Sequence, residues 1–179
     1  IGTHMSYKYR YPNAYDYFKK ASDLPKELSE DKVEKINAYD NAVRYNDTIV
    51  YELIKRLKSV NQHSLLTYFS DHGEDVFDSE GHDFQGRNEA SPTHPMYAIP
   101  FLVWTSNNWF RKKILDDVNV LNRQYDNADF IYTFSDLMGM NYRDYDPTES
   151  ILSKSFSADT ILVGNPYQPK TLKKLEFTD

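Results

Sequence analysis

A strand that ends in an acid and an imidazole constrains this chain more than any other feature. Residues 64–70 form an apolar, β-favouring run, and Asp71, His72 and Gly73 follow it directly. Because successive side chains of a strand point to opposite faces, Asp71 and His72 can converge on one ion only where the strand gives way to a loop. Gly73 permits a bend at that point. Ligands of α/β sheets bind just beyond the carboxyl ends of strands, so the sequence predicts half of a metal site here.

The chemistry of Asp71 and His72 narrows the choice of metal. A carboxylate oxygen beside an imidazole nitrogen suits Zn²⁺, Mn²⁺ or Fe²⁺ better than Ca²⁺ or Mg²⁺. A bare Asp-His pair is more often a simple hydrogen-bonded pair, but the apolar strand before it and the Gly-Glu after it favour a metal site. Two interpretations of Glu74 stay open. It either accepts a hydrogen bond from His72 and so orients that ring, or it is a solvated acid of the loop.

Length and composition indicate a folded, acidic domain. The chain has 179 residues, of which 40% are hydrophobic, enough for one domain with a real core. A formal net charge of −6 at pH 7 does not provide the basic face of a nucleic-acid-binding protein, so we expect no nucleic-acid partner. The absence of cysteine excludes disulfides, thiolate metal sites and cysteine nucleophiles. Fifteen tyrosines suit either a surface for sugars or lipid headgroups or irregular packing.

The hydrophobic pattern predicts a helix followed by a strand. Apolar residues recur at helical spacing over residues 31–60, with basic side chains in the last turn, and the strand of residues 64–70 comes next. That order is the unit of an α/β fold with a mostly parallel sheet. The other predicted elements are a short helix over 15–21, a buried strand over 99–104, helices over 109–121 and 129–139, the latter closed by Gly139, and a short strand over 160–163. Residues 71–97 and 141–157 are predicted to be loops, and a loop as long as the first is usually functional or mobile.

Several short motifs, in this order along the chain, resemble a known family. They are Gly-Thr-His at residues 2–4, Tyr-Arg-Tyr-Pro at 9–12, the helical segment 37–47, Ser-Asp-His-Gly-Glu at 70–74, Gly-His at 81–82, Ile-Pro-Phe-Leu-Val-Trp at 99–104 and the segment 129–139. Together they resemble the second half of a sulfatase-type domain of the alkaline phosphatase superfamily, over most of residues 1–140. Within it, they are most similar to the bacterial phosphoethanolamine transferases that modify lipopolysaccharide.

The resemblance implies a fold and a location. The expected fold is an α/β, alkaline-phosphatase/sulfatase-like three-layer sandwich with a mostly parallel sheet. Residues 1–179 would be the C-terminal portion of that catalytic domain, without its N-terminal half and membrane anchor. In a Gram-negative parent the domain would face the periplasm from the inner membrane. An exposed sheet edge left by such a division would favour self-association of the fragment.

The resemblance also implies an activity. Members of the family transfer phosphoethanolamine from phosphatidylethanolamine to a core sugar or the lipid A of lipopolysaccharide, through a phospho-threonine intermediate and with zinc. Asp71 and His72 match the paired zinc ligands, with Mn²⁺ as an alternative ion. His4 and His82 match two catalytic histidines that bind the phosphoryl group, neutralise its charge or move a proton. A cloning scar could supply Gly-Thr-His-Met, but the register into Tyr-Arg-Tyr-Pro favours a native His4.

Other matches are weaker or fall outside the chain. Arg87 and Asn88 either bind the phosphate or sugar of the acceptor or belong to a polar loop without that role. The nucleophilic threonine and a further carboxylate ligand of the family lie upstream of its Gly-Ser/Thr-His motif. We therefore expect residues 1–179 alone to be inactive.

Three other functions stay open at this point. The parent could be a lipid phosphoglycerol transferase, a sulfatase, or an inactive metal-binding member with a scaffolding role. The residue at the upstream nucleophile position distinguishes them, because a threonine indicates a transferase and a cysteine indicates a sulfatase.

Overall fold

The computed structural model describes residues 3–19, 28–106 and 118–175. These residues form two α-helices, α1 (Glu30–Ser59) and α2 (Phe130–Met138). They also form six strands: β1 (Leu65–Phe69), β2 (Asp75–Val76), β3 (Gln85–Gly86), β4 (Phe101–Thr105), β5 (Leu162–Val163) and β6 (Lys173–Lys174). Within the described ranges, no helix is long and apolar enough to cross a bilayer.

Helix α1 confirms the longest predicted element, with bounds one residue from those expected. Its first turn carries Glu30 and Asp31, and its last turn carries Arg56 and Lys58. Acidic groups near the N-terminus and basic groups near the C-terminus both stabilise the helix dipole. At 30 residues, α1 is about 45 Å long.

The buried face of α1 differs from the apolar stripe that the sequence suggests. Asn37, Ala38 and Asn41 are buried, whereas Val43 and Leu53 are 42% and 51% exposed. The reason is that the N-terminal segment packs on the small and polar side of the helix. Apolar periodicity therefore identified the helix correctly but did not identify its packed face.

Asn41 ties the N-terminal segment to α1. Its side chain is fully buried, and its Oδ1 accepts hydrogen bonds from the backbone N–H groups of Tyr17 and Phe18, both at 2.9 Å. Its Nδ2 donates to the carbonyl of Phe18 at 3.0 Å and lies 3.3 Å from Oδ1 of Asp16. Because a buried amide without partners is costly, these bonds fix the path of residues 16–18 over the helix.

The long strands β1 and β4 pair antiparallel, with Leu65 opposite Thr105 and Phe69 opposite Phe101. The other two ladders in the described residues are antiparallel as well, so the parallel pairing expected from the helix–strand order is not found among them. A parallel pair needs a crossover connection, usually a helix. The segment between β1 and β4 instead contains the β2–β3 hairpin and a 3₁₀ turn, and it returns the chain antiparallel.

An aromatic cluster joins this strand pair to α2. The ring of Phe69 lies 5.6 Å from that of Phe101 and 4.6 Å from that of Phe130 at the start of α2. Strand β4 was expected to be buried, but Leu102 is exposed and the other four residues are only partly buried. The cluster places the carboxyl end of β1 beside the N-terminal end of α2.

Helix α2 confirms the helix predicted over residues 129–139, and Gly139 ends it as expected. Gly139 has a φ of 66°, in the left-handed region that glycine adopts without strain. Its N–H donates to the carbonyl of Asp136, and the N–H of Met140 donates to that of Ser135. Paired bonds of this kind satisfy the free carbonyls at a helix end.

The remaining predicted elements are confirmed in part. Strand β5 lies inside the predicted strand of residues 160–163, and turns and bends without helix or strand occupy residues 141–157. The short helix predicted over 15–21 is wrong over its described part, because a 3₁₀ turn ends at Tyr15 and residues 16–19 follow without helix. Most of the helix predicted over 109–121 lies outside the described residues, and its described end is a 3₁₀ turn, Val118–Asn122.

Candidate active site

The chain leaves β1 through a turn that is held from two sides. The hydroxyl of Ser70 donates to the carbonyl of His72 at 2.7 Å. The carbonyl of Ser70 accepts from Nδ2 of Asn127, at 2.8 Å, in the turn before α2. The strand end therefore has one defined conformation, as a residue pair that binds a common ligand requires.

Gly73 is needed here for space rather than for an unusual backbone angle. The strand does end in a bend here, as expected, but Gly73 does not adopt a positive φ, so the bend does not use the left-handed conformations that favour glycine. A Cβ at this position would lie 2.1 Å from the carbonyl oxygen of Pro95 and 2.9 Å from that of Ala98. The N–H of Gly73 also donates to the carbonyl of Met96 at 3.0 Å. Two backbone segments meet at Gly73 with no room for a side chain.

His72 has its tautomer fixed by the backbone. Its Nδ1 lies 2.8 Å from the carbonyl oxygen of Gly73. Since a carbonyl can only accept, Nδ1 carries the hydrogen and a neutral ring keeps its lone pair on Nε2. This is the arrangement in which metal-binding histidines are commonly held.

Asp71 is exposed beside His72 and is ready to act as an anion. Desolvation opposes its ionisation, but the electrostatic interaction with the neighbouring imidazole of His72 and hydrogen bonds from the N–H groups of Asp71 and His72 hold the pKa of the Asp71 carboxyl below its usual range. An ionised oxygen ligand and a fixed imidazole nitrogen fit a zinc ion chemically. Among the described residues, no group of three or more acidic or histidine side chains is arranged to hold a metal. Asp71 and His72 would therefore supply two of the four ligands that a zinc ion usually has.

Glu74 is neither a solvated acid nor a partner of His72, and both expectations for it are wrong. Its side chain is 6% exposed. Oε1 of Glu74 lies 2.9 Å from Nδ1 of His4, and Oε2 accepts from the hydroxyl of Tyr7 at 2.5 Å. It orients a histidine, as one interpretation required, but that histidine is His4.

Tyr7 is the buried residue that donates a hydrogen bond to the Glu74 carboxylate. It is 2% exposed and packs edge-to-face on Tyr39, with 5.1 Å between the ring centroids. Burial, the hydrogen bond to Glu74 and the negative charge of Glu74 raise the pKa of Tyr7 well above its usual range. The phenol therefore stays protonated and donates to Glu74 at any physiological pH.

His4 lies next to His72, as the shared-site interpretation requires. The two rings are edge-to-face, with 6.1 Å between their centroids. The Arg10 guanidinium holds the backbone of this segment, since its Nε donates to the carbonyl of His4 at 2.6 Å and to that of Met5 at 3.1 Å. Of the four residues predicted to bind metal or to act in catalysis, the structure brings His4 beside His72, and Asp71 precedes His72 in the chain.

His82 lies at the tip of the β2–β3 hairpin. Its N–H donates to the carbonyl of Ser79 at 3.1 Å, in a turn in which Gly81 has a φ of 76°. The neighbouring Asp83 pairs with Lys32 of α1 at 2.8 Å. Among the described residues, no hydrogen bond or ring contact joins His82 to His4 or His72. Its role in the site stays a prediction.

The hairpin depends on Asp75, which the sequence did not single out. Asp75 is fully buried, and its carboxylate accepts from the N–H of Asp78 at 2.9 Å and from the hydroxyl of Thr93 at 2.7 Å. Desolvation opposes its ionisation, but hydrogen bonds from Ser79, Thr93 and the backbone hold the pKa of Asp75 below its usual range. In the sequence, Asp75 is simply an acid that follows the Ser-Asp-His-Gly-Glu motif, and that pattern does not indicate that its side chain is buried.

Arg87 and Asn88 have contacts within their own loop. Nε of Arg87 donates to Oε1 of Glu89 at 2.8 Å, and its guanidinium lies 4.9 Å from the centre of the Tyr97 ring. Oδ1 of Asn88 accepts from the N–H of Ala90 at 3.0 Å. These contacts give both residues a structural role, and a contact with the acceptor stays a prediction.

Comparison with known proteins decides the family. The family model described as Sulfatase matches residues 1–140. The chain belongs to the sulfatase family. The match covers both the His4 segment and the Asp71-His72 segment of the candidate site, so these residues lie inside the family's domain.

Two curated relatives are similar to nearly all of the chain. Phosphoethanolamine transferase EptC of Escherichia coli (strain K12) is 46% identical over 173 residues, which are 96% of this chain and 30% of that protein. Phosphoethanolamine transferase CptA of Salmonella typhimurium (strain LT2) is 46% identical over the same share of each chain. The predicted resemblance to phosphoethanolamine transferases is confirmed, and the chain spans about a third of the length of these relatives.

A solved structure has the same fold. The crystal structure of the C-terminal periplasmic domain of EptC from Escherichia coli, in complex with Zn, superposes with a TM-score of 0.89 at 45% identity. The likeness covers 97% of this chain and 49% of that one. It confirms the expected α/β fold of the alkaline-phosphatase/sulfatase type.

Proposed function

We propose that this chain forms one side of the active site of a phosphoethanolamine transferase. The donor is phosphatidylethanolamine, and the acceptor is a core sugar or the lipid A of lipopolysaccharide. The observation that carries the proposal is the meeting of His4 with His72 at the end of β1, where Asp71 adds an ionised carboxylate. The names of the relatives support the transferred group, and the family resemblance supports donor and acceptor.

Asp71 and His72 would hold a zinc ion. The free Nε2 of His72 and the ionised oxygens of Asp71 suit it, and a relative of 45% identity has been crystallised in complex with Zn. Bound zinc would supply charge neutralisation and would lower the pKa of a hydroxyl nucleophile. Mn²⁺ suits the same oxygen and nitrogen ligands, so it is a second candidate for the metal ion.

The histidines handle protons and phosphate oxygens. Phosphoryl transfer depends mainly on positioning and on neutralisation of the negative charge that spreads over the oxygens. His4 exchanges a proton with the leaving or attacking oxygen through Nε2, because its Nδ1 is bonded to Glu74. His82, and Arg87 and Asn88 beyond the hairpin, contact the phosphoryl group or the acceptor.

The remaining parts of the site would come from elsewhere in the whole protein. A threonine would attack the phosphorus and carry the phosphoethanolamine group, and a further carboxylate would complete the metal site. Residues 1–179 would be the C-terminal portion of a periplasmic catalytic domain anchored in the inner membrane. By themselves these residues would turn nothing over and would bind zinc only weakly.

A transfer assay on the whole protein tests this proposal. The protein in detergent is given phosphatidylethanolamine labelled in its headgroup, together with lipopolysaccharide, and the acceptor is followed by mass spectrometry. We expect transfer that a chelator abolishes and Zn²⁺ restores, with Mn²⁺ as a parallel arm. Matched reactions use phosphatidylglycerol as donor or a sulfate ester as substrate. Activity in these reactions and none with phosphatidylethanolamine would refute the proposal.

A further inference from the structure

Glu74 is a buried carboxylate whose two oxygens both face the N-terminal segment. One oxygen bonds Nδ1 of His4 at 2.9 Å and the other bonds the hydroxyl of Tyr7 at 2.5 Å. We propose that Glu74 is a positioning residue that orients the His4 ring for proton transfer to the leaving oxygen of the donor. This inference rests on the proposed transferase function and assigns a further residue to it.

The hydrogen bond to Glu74 decides which ring nitrogen of His4 does chemistry. A carboxylate only accepts, so Nδ1 of His4 carries a hydrogen in both protonation states of the ring. Nε2 is then the nitrogen that gains or loses a proton.

The contrast in exposure shows what the contact achieves. The His4 side chain is 58% exposed, whereas that of Glu74 is 6% exposed. An exposed imidazole would otherwise sample several rotamers, and a catalytic group must be held within a narrow range of positions. The buried carboxylate provides a fixed point for a ring that lies at the surface.

Glu74 itself is held in place. Tyr7 is buried, packs on Tyr39 and keeps its proton because the pKa of its phenol is raised by burial. Its hydroxyl therefore always donates to Oε2 of Glu74, which stops the carboxylate from rotating. Arg10 fixes the backbone of His4 through the carbonyls of His4 and Met5. Ring and backbone of His4 are thus both fixed.

The neighbouring acid separates this role from a purely architectural one. Asp75 supplies the bonds that shape the hairpin, to the N–H of Asp78 and the hydroxyl of Thr93. Glu74, one position earlier, instead reaches His4 and Tyr7, which are 70 and 67 residues away in sequence. The two consecutive buried acids therefore have different partners. One partner of Glu74, His4, lies next to His72.

Through His4, Glu74 supports the transfer of phosphoethanolamine from the donor to the nucleophile. The nucleophilic hydroxyl of the whole protein, deprotonated, forms a bond to phosphorus while the bond from phosphorus to the diacylglycerol oxygen breaks. The electron pair of the broken bond goes to that oxygen, which takes the Nε2 proton of the His4 imidazolium. His4 becomes neutral with Nδ1–H still bonded to Glu74. In the second half-reaction the acceptor oxygen forms a bond to phosphorus while the bond from phosphorus to the nucleophilic oxygen of the protein breaks. The electron pair of that bond returns to the nucleophilic oxygen, which is deprotonated again, and the proton of the acceptor hydroxyl returns to Nε2 of His4.

A comparison of two donors tests the inference in the whole protein. Phosphatidylethanolamine releases an alkoxide that needs a proton, whereas the p-nitrophenyl ester of phosphoethanolamine releases a stable phenolate that does not. Single-turnover release of each leaving group is measured for wild type, Glu74→Ala and Glu74→Gln. We expect Glu74→Ala to slow release from the lipid about 100-fold, and from the nitrophenyl ester by less than about 5-fold. Glu74→Gln keeps an acceptor for Nδ1 and should recover part of the loss.

Three further variants complete the test. Glu34→Gln is the control. Glu34 is an exposed glutamate that pairs with Lys8 at 3.0 Å. Its loss of charge should leave the release rates of both donors unchanged. Combining His4→Ala with Glu74→Ala should slow lipid release no further than His4→Ala alone, since the two residues act as one unit. If Glu74→Ala does not fold, the Gln variant carries the test, with an expected loss of about 10-fold for the lipid only.

The outcomes are distinct. Equal losses with both donors, or additive losses in the double variant, would overturn the positioning role and leave Glu74 as an architectural residue. A wild-type protein that releases neither leaving group would instead refute the proposed function, on which this role depends.

Discussion

Replacing His72 by alanine is expected to lower phosphoethanolamine transfer by the whole protein about 1000-fold. The imidazole would supply one of the zinc ligands through Nε2, because its Nδ1 is bonded to the carbonyl of Gly73, and an alanine side chain supplies no ligand. Loss of the metal removes several kcal/mol of charge stabilisation from the transition state, which corresponds to at least three powers of ten in rate. The rate is measured with labelled phosphatidylethanolamine and lipopolysaccharide, and zinc content is measured on the same preparation.

His63→Ala is the matched control for this variant. His63 precedes β1, whereas His72 follows it, and a five-residue strand separates the two ends by about 16 Å. The control should keep its zinc and its activity. A His72→Ala protein with normal zinc and normal transfer would remove His72 from the metal site.

The largest expected effect on stability is that of Gly73→Ala. The new Cβ would lie 2.1 Å from the carbonyl oxygen of Pro95, and a backbone oxygen cannot move aside as a flexible side chain can. We expect the free energy of unfolding to fall by about 4 kcal/mol and the melting temperature by about 10 °C. Thermal unfolding of the whole protein, followed by circular dichroism, measures the shift.

Gly81→Ala separates crowding from backbone strain. Gly81 has a φ of 76°, but a Cβ there would meet no atom within 4 Å. Only the strain of a left-handed residue remains, about 1–2 kcal/mol, so the melting temperature should fall far less than in Gly73→Ala. Equal shifts in the two variants would show that close packing at Gly73 is not what selects glycine there.

The parts of the fold that depend on neighbouring residues were predictable from the sequence. Helix α1 follows from apolar periodicity with charged ends, and α2 follows from the same periodicity ended by Gly139. Strand direction was not predictable in this way. The antiparallel pairing of β1 with β4 depends on how the intervening segment returns, and the pattern of apolar residues carries no information about that path.

The candidate site was likewise predictable only where it depends on residues that are adjacent in sequence. Asp71 and His72 are adjacent at a strand end, so their placement could be predicted from local pattern. The contact of Glu74 with His4 and Tyr7 could not, because it joins segments about 70 residues apart. The role of Gly73 was also missed, since a close approach of Pro95 is a property of the folded chain alone.

Asp71 and His72 would hold a zinc ion beside His4. A crystal structure of the whole catalytic domain grown with zinc, with anomalous data collected at the zinc edge, tests it most directly. We predict a peak bonded to a carboxylate oxygen of Asp71 and to Nε2 of His72, at about 2.0–2.2 Å from each. A zinc peak bound by other residues, with Asp71 and His72 both outside its coordination shell, would contradict the claim.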